Sequence, residues 1–373
     1  MRFLFVCGGT AGHINPALAV AGRLREKLPD SEFLFVGAGR EMEQRLIPAE
    51  GYELKNVTIS GFSRSVSPSG LKENLKVVRE LGASRRQAGE MIREFKPDAV
   101  IGTGGYVCYP VITAAVKLGV PTCLHESNAV PGLTAKLLSG IVDKMLTAFP
   151  GTENNYKRPE RVVFIGTPVR GGFGKVSRED ARSALGLKDE KLVVSFWGSL
   201  GAEKMNGFMA DFIAVNGVKR AFYHIHSTGG GDEGLNRLKS ALESSGGVPD
   251  NCDLRAYILN MDMVMTAADV VMSRSGASTI AELAYLGVPS ILVPSPNVTN
   301  DHQTKNARAM EKAGGAILIP ETECSGERLF EEASKLVSDE KRLEEMKKGA
   351  LSLSGGDSTE KMADIVLSLI NRS

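Results

Sequence analysis

No stretch of this 373-residue sequence approaches the roughly 18 consecutive apolar residues needed to cross a bilayer as a helix. Met1-Arg2 runs directly into the apolar segment Phe3 to Cys7, which is too short for the hydrophobic region and cleavage site of a signal peptide and reads as a first strand. Neither sign of charge is in excess: 45 Lys and Arg against 44 Asp and Glu leave +1 at pH 7, so nothing draws the whole chain to nucleic acid and any anion site must be local. Cysteine is sparse and odd in number, and Cys7, Cys108, Cys123, Cys252 and Cys324 show no CxxC or Cys/His spacing, which leaves reduced structural thiols. These absences predict a cytoplasmic globular protein. Its length exceeds what one core organises, so two domains are expected.

Apolar runs of strand length alternate with helical stretches through the first half: Phe3 to Cys7, a helix from about Pro16 to Lys27, Phe33 to Val36, a long helix from Leu71 to Phe95, Ala99 to Ile101, Val111 to Leu118, Thr122 to Leu124 and Met145 to Phe149. Such alternation implies βαβ units and a parallel sheet covered on both faces. A polar stretch follows Gly166-Thr167-Pro168, and the pattern restarts at Leu192 to Phe196, with strands near Tyr223 to His226, Leu254 to Ile258, Val270 to Met272, Ser290 to Val293 and Ala316 to Ile319. Helical spacing over Glu327 to Val337, Arg342 to Leu353 and Thr359 to Ile370 ends the chain. The expected architecture is α/β, two doubly wound domains with a linker near residue 166 and function in the strand-to-helix loops facing a cleft.

Glycine-rich loops mark those positions. Gly8-Gly9-Thr10-Ala11-Gly12-His13 lies between strand one and a helix that Pro16 suits as a first turn. It is not GxGxxG, and strand two ends at Val36-Gly37 without an acidic residue, which disfavours a nicotinamide cofactor. His13 suits a general base, or a brace for its loop. A second loop, Gly104-Gly105-Tyr106, follows Ala99 to Ile101. At the next strand tip, His125-Glu126-Ser127-Asn128 fits substrate hydrogen bonding, with Asn128 recognising a hydroxyl or an acetamido group, or else forms a capping cluster. Arg170 at the domain junction suits a phosphate or base edge, or a hinge ion pair.

In the second half, Trp197-Gly198-Ser199-Leu200-Gly201 opens a helix, and Ser273-Arg274-Ser275-Gly276 leads into Ala277-Ser278-Thr279-Ile280-Ala281-Glu282, with a second polar helix start at Asp301-His302-Gln303. Backbone amides at such a mouth suit a diphosphate, and a carboxylate one to two turns deeper suits ribose hydroxyls, the pattern of a sugar-nucleotide site. His224 and His226 share one strand face without a third ligand at suitable spacing and read as strand histidines.

Taken together, Gly-Gly-Thr-x-Gly-His-x-x-Pro, Gly-Gly-Tyr, His-Glu-x-Asn, Pro-Val-Arg, Gly-Ser-x-Gly-Ala, Arg-Ser-Gly-Ala and Gln-x-x-Asn-Ala, in this order from Gly8 to about Gly315, resemble the MurG family of bacterial peptidoglycan synthesis. That resemblance implies a glycosyltransferase B fold: residues 1–165 as an acceptor- and membrane-facing domain completed by a C-terminal helix over 352–373, and 166–351 as the UDP-sugar-binding domain. It implies an inverting, metal-independent hexosyltransferase that carries N-acetylglucosamine from UDP-N-acetylglucosamine to the 4-hydroxyl of undecaprenyl-diphosphate-linked N-acetylmuramyl-pentapeptide (lipid I), in cell-wall biogenesis, cell shape and cell division. The partners implied are the two substrates, the cytoplasmic face of the membrane as a peripheral surface and other cell-wall enzymes, with no cofactor and no nucleic acid.

By position, the resemblance places Thr10, Ala11, Gly12 and Asn128 on the donor's sugar and phosphates, Arg170 and Ser199 on the nucleotide, and Ile258 on uracil through its backbone. It places Ala277, Ser278, Thr279, Ile280 and Ala281 on phosphate and ribose, Glu282 on the ribose hydroxyls, and Gln303, beside His302, on the transferred sugar. Gly104, Gly105 and Tyr106, with Gly9 and Thr10, would face the acceptor diphosphate; His13 is the candidate base and Glu126 the second. The chain departs from the family pattern at Trp197 for glycine, Leu200 for a polar residue, Thr167 for asparagine and His302 for glutamine, and Trp197 would add bulk where the loop should hug the nucleotide. Leu75, Val78 and Leu81, beside Lys72, Lys76, Arg79, Arg85 and Arg86, form either an interfacial patch or a core stripe with a basic solvated face. Rival readings are a UDP-N-acetylglucosamine 2-epimerase, another UDP-sugar transferase, or a UDP-sugar sensor without catalysis.

Overall fold

The structure, a computed structural model, describes residues 1–59, 68–169, 171–198 and 201–371, without the side chains of residues 68–79 and of Thr299. Contacts divide the chain into two compact units, Met1–Arg170 with Ser354–Ser373, and Gly171–Leu353.

The first unit is built on strands β1 (Arg2–Cys7), β2 (Glu32–Gly37), β3 (Glu53–Asn56), β4 (Ala99–Gly104), β5 (Thr122–Glu126), β6 (Lys144–Thr147) and β7 (Val162–Phe164). All pairings are parallel, in the order β3-β2-β1-β4-β5-β6-β7. A strand covered on both faces must be apolar at every position, which is why β1 reads Phe-Leu-Phe-Val-Cys without alternation. Phe3, Phe5 and Cys7 pack on one face with the helix Ala11–Lys27 and with Met362, Ala363 and Val366 of the helix Ser358–Ile370. Leu4 and Val6 pack on the other with Ala88 and Ile92 of Pro68–Phe95 and Val111 and Ile112 of Cys108–Lys117. Each such side chain, fully buried, contributes about 1.5–3 kcal/mol.

The second unit repeats the plan with β8 (Leu192–Phe196), β9 (Tyr223–Ser227), β10 (Cys252–Arg255), β11 (Val270–Ser273), β12 (Ser290–Leu292) and β13 (Ala316–Leu318), all parallel, in the order β10-β9-β8-β11-β12-β13. In each sheet the winding reverses beside its first strand, between β1 and β4 and between β8 and β11. Open parallel sheets take ligands outside the carboxyl ends of their strands at such points. The expected α/β class and doubly wound plan therefore hold.

Three local expectations change. The first helix begins at Ala11 rather than Pro16, because His13 and Ile14 both donate backbone N–H groups to the Thr10 carbonyl, at 3.0 and 3.2 Å; Pro16 lies inside the helix. The strand expected over Leu254 to Ile258 ends at Arg255, where Thr228 N–H closes the pairing on the Arg255 carbonyl at 3.0 Å, so Ile258 sits in the following loop. Of the run Val111 to Leu118, all but the capping Leu118 lies in the helix Cys108–Lys117. All five cysteines are buried and unpaired, and burial pushes the thiols of Cys108, Cys123 and Cys252 up to about 12.

Candidate functional site

At the switch point of the first unit the loops after β1 and β4 close on each other. Gly105 has φ +91, and a β-carbon there would lie 2.6 Å from the Gly8 carbonyl oxygen, so only glycine allows this approach. His13, half-buried in the first helical turn, has its ring over Gly104, where a β-carbon would come 2.4 Å from Cδ2 and 2.8 Å from Nε2. Its Nδ1 lies 2.8 Å from the Gly8 carbonyl oxygen, which only accepts; the proton is therefore on Nδ1, and Nε2 carries the lone pair. Thr103 Oγ1 donates to the His13 carbonyl at 2.6 Å and fixes the turn from below. Thr10, which precedes the helix in an extended conformation, makes no side-chain cap, and Arg40 Nε donates to the Tyr106 hydroxyl at 3.0 Å, tying the loops after β2 and β4 together.

The tip of β5 is self-contained. Glu126, 8% exposed, accepts from the Asn128 N–H at 3.0 Å, Asn128 Nδ2 at 2.9 Å and the Gly132 N–H at 3.0 Å. Its carboxylate closes the loop over residues 127–132. His125 donates from Nε2 to the Gly166 carbonyl at 2.9 Å, leaving Nδ1 to accept from Ser127 Oγ at 3.3 Å. Burial holds this imidazole at about 4, so it is neutral and braces β5 against the segment that follows β7.

At the switch point of the second unit, a cavity of about 260 Å³ is walled by Trp197, Arg274, Gly276, Thr279, Ser295 and Gln303, among others. Gly276 precedes the helix Ala277–Leu286 in an extended conformation and has no side chain to cap it, so the first-turn amides of Ala277, Ser278 and Thr279 open the helix mouth. Arg274 does not reach outward: it donates to the Val293 and Pro294 carbonyls, each at 3.1 Å, and to Glu321 at 2.5 Å. Gln303 accepts the Ser295 N–H at 2.8 Å through Oε1, and its carbonyl accepts Ser275 Oγ at 2.8 Å, which links the helix His302–Lys312 to the β11 loop. Ile280 and Ala281 continue the helix, and Glu282 is 8% exposed in its second turn. Ile258 is buried in the loop after β10. Trp197 is 3% exposed: it packs in the core with Met205, Met209 and Phe212 and also walls the cavity beside Gly198.

The structure therefore gathers Thr10, Ala11, Gly12, His13, Gly104, Gly105 and Tyr106 at one switch point and Ala277 to Glu282 with Gln303 at the other. Arg170 and Ser199 lie outside the described residues, as do the side chains of Leu75 and Val78; Leu81 packs against the core of the first unit. Sequence reasoning missed Glu43, fully buried in the helix Glu41–Ala49, whose carboxylate accepts the N–H groups of Gly9, Ala38 and Arg40. Its only signal was an acidic residue three positions after Arg40, where such a residue closes a helix start.

His224 and His226 are fully buried, and Ser195 Oγ lies 2.8 Å from His224 Nε2 and 2.7 Å from His226 Nδ1. Burial lowers both, His226 to about 3. Unfolded histidines titrate near ~6.5. Below that value the unfolded chain binds protons that His125, His224 and His226 refuse in the fold, so their contribution is complete above ~6.5 and is lost as the pH falls towards the folded values. Stability should decline by about 1.4 kcal/mol per pH unit for each histidine over that window. Urea melts between about pH 7 and pH 5 check this; a constant midpoint would contradict it.

The profile of the glycosyltransferase family 28 N-terminal domain matches residues 3–147 and that of the C-terminal domain residues 192–367. The chain is 42% identical, over 98% of its length and 97% of the relative's, to the UDP-N-acetylglucosamine--N-acetylmuramyl-(pentapeptide) pyrophosphoryl-undecaprenol N-acetylglucosamine transferase of Acetivibrio thermocellus. It is 39% identical to the Bacillus licheniformis protein of the same name, over 99% of both chains. Among solved structures, MurG of Acinetobacter baumannii superposes with a TM-score of 0.78 at 27% identity, covering 98% of this chain and 99% of that one. The UDP-GlcNAc 2-epimerase of Neisseria meningitidis shares the fold at a TM-score of 0.65 and 14% identity, with both chains fully covered.

Proposed function

This chain belongs to glycosyltransferase family 28, and from that membership we propose that it transfers N-acetylglucosamine from UDP-N-acetylglucosamine, with inversion at the anomeric carbon, to the 4-hydroxyl of undecaprenyl-diphosphate-linked N-acetylmuramyl-pentapeptide. The observation that carries this reading is identity of 42% along practically the whole of both chains with a transferase of that name. The fold alone would not decide it, since a 2-epimerase shares the fold.

The chemistry can be divided between the units. In the first, His13 Nε2 takes the proton of the acceptor hydroxyl as its oxygen attacks the anomeric carbon. The bond from that carbon to the diphosphate breaks on the opposite face, and UDP leaves with the electron pair. Glu126, its oxygens already accepting three N–H groups, serves as the brace of the Asn128 loop rather than as the base. Thr10, Ala11, Gly12 and Asn128 are assigned to the donor's sugar and phosphates, and Gly104, Gly105 and Tyr106 to the acceptor diphosphate. In the second unit, the amides at Ala277, Ser278 and Thr279 face the departing diphosphate, where fixed dipoles stabilise developing charge. Ile280, Ala281 and Glu282 take the ribose side, Ile258 the uracil, Gln303 with His302 the transferred sugar, and Arg170 and Ser199 the nucleotide.

A lipid-carried acceptor calls for a membrane-facing surface, and we assign the enzyme to the cytoplasmic face of the membrane, where other cell-wall enzymes would meet it. No helix among the described residues is long and apolar enough to cross a bilayer. Val130, Leu133, Leu137 and Ile141, spaced three to four residues apart and 38–64% exposed, with Lys136 and Lys144 nearby, supply the apolar and basic character of a peripheral contact.

Release of UDP from UDP-N-acetylglucosamine, with and without a short-chain lipid I analogue, tests the assignment. Acceptor-dependent release with the sugar found on the acceptor is expected. Conversion of the donor without acceptor would favour an epimerase, and tight donor binding without turnover a sensor.

A further inference from the structure

Glu43 and His13 lie on opposite sides of one peptide group. Glu43 Oε1 accepts the N–H of Gly9 at 2.9 Å, and the carbonyl of Gly8, the other end of the same amide, accepts His13 Nδ1–H at 2.8 Å. Resonance makes that amide a single planar, polarisable unit, and consecutive hydrogen bonds through it strengthen each other. The carboxylate is fully buried, and Oε2 is held by the N–H groups of Ala38 at 2.8 Å and Arg40 at 3.0 Å. The fit is close: a β-carbon at Gly8 would lie 2.6 Å from Oε1 and one at Gly37 2.5 Å from Oε2. Gly9 therefore spends its N–H on Glu43 and has none to offer an anion, so this glycine loop is organised around the histidine.

We propose that Glu43 is a positioning residue for His13 and acts through the Gly8–Gly9 peptide. It holds the loop so that the imidazole proton stays on Nδ1 and Nε2 faces the acceptor hydroxyl bare. When Nε2 takes the proton, the buried negative charge, relayed by the polarised amide, stabilises the imidazolium. A catalytic histidine is commonly oriented by a carboxylate bonded to it directly; here a peptide group is inserted between the two. The inference rests on His13 being the base, and the test separates the two statements.

The test is a double-mutant cycle of Glu43→Gln and His13→Ala, with kcat measured at saturating concentrations of both substrates. Glutamine keeps the shape but loses the charge and turns an NH₂ group onto an N–H donor. Glu43→Gln alone should lower kcat about ten- to a hundredfold, as groups that orient a reacting residue do, and leave the donor KM unchanged. In the His13→Ala background it should lower kcat no further, because a residue that acts through another loses its effect when that one is gone. An equal loss in both backgrounds would make Glu43 a brace of the loop only and overturn the inference. A fully active His13→Ala would overturn the base assignment itself; an inactive His13→Ala with a fully active Glu43→Gln would overturn the role of Glu43 alone. Should Glu43→Gln not fold, the ¹⁵N imidazole spectrum of the unaltered protein decides: a His13 proton on Nδ1 with bare Nε2 is expected, and a proton on Nε2 overturns the proposal.

Discussion

Replacing His13 with alanine should lower kcat by about 10²- to 10⁴-fold, the range a positioned proton acceptor supplies. The ring is half-buried in the first turn of its helix, so the loss should come from chemistry and not from unfolding. Its removal leaves the Gly8 carbonyl without the Nδ1 donor, but the Gly9 N–H remains on Glu43 and the loop keeps its anchor. The described residues assigned to uracil, ribose and the departing diphosphate lie in the second unit, so affinity for UDP should stay within about twofold. Single-turnover rates with the lipid I analogue, UDP titration by calorimetry and a thermal melt together check the prediction. A variant within tenfold of the parent rate would remove His13 from the chemistry and leave the transferase without a base in the first unit.

The second large effect belongs to Gly229, in the loop after β9. Its φ is +64, and a β-carbon there would lie 2.4 Å from the Gly201 nitrogen and 2.6 Å from the Gly198 carbonyl oxygen. Both are backbone atoms of the loop after β8, so no side chain can swing aside. Alanine must displace one loop from the other, at about 2–4 kcal/mol from left-handed strain and overpacking combined. The same loop borders the cavity through Gly198 and Gly201, so affinity for UDP should weaken at least about tenfold along with the stability. Gly231→Ala is the control: φ is +79 but nothing lies within 4 Å of the added carbon. With ψ at −162 the residue sits in a region nearly confined to glycine, so alanine should cost about 1–3 kcal/mol of backbone strain yet leave UDP binding in place. Equal losses of UDP affinity in the two variants would show that the loop contact is irrelevant.

What the sequence disclosed and what it withheld follow from the range of the interactions. β1 and β8 were legible because a strand buried on both faces leaves no polar position to confuse it, and the glycine loops after them because glycine marks close approach. β3, reading Glu-Leu-Lys-Asn at a half-exposed edge, carries no such pattern and was missed, as was the helix Glu41–Ala49 before it. The role of Glu43 depends on meeting Gly9 across 34 residues of chain, which no local pattern encodes. Glu126 shows the converse: the residue type suits a base, and only its three hydrogen bonds at the β5 tip point to a brace. Trp197 is similar, since its burial depends on core neighbours, Met205, Met209 and Phe212, that lie beyond its own loop.

The helix Ser358–Ile370 completes a core whose other walls are made from residues before 170: Met362, Ala363 and Val366 lie against Phe3, Phe5 and Ile14, and Lys27 pairs with Glu360 and Asp364. During synthesis the first sheet therefore waits for its last cover until all of residues 171–353 have left the ribosome, and the second unit has its whole sequence first. The usual order, in which the domain made first is finished first, is reversed. The apolar face that waits is the one bearing Phe3 and Phe5, so the nascent chain is most exposed to aggregation, and most in need of a chaperone, in the interval when one half is already folded and the other lacks only its final helix.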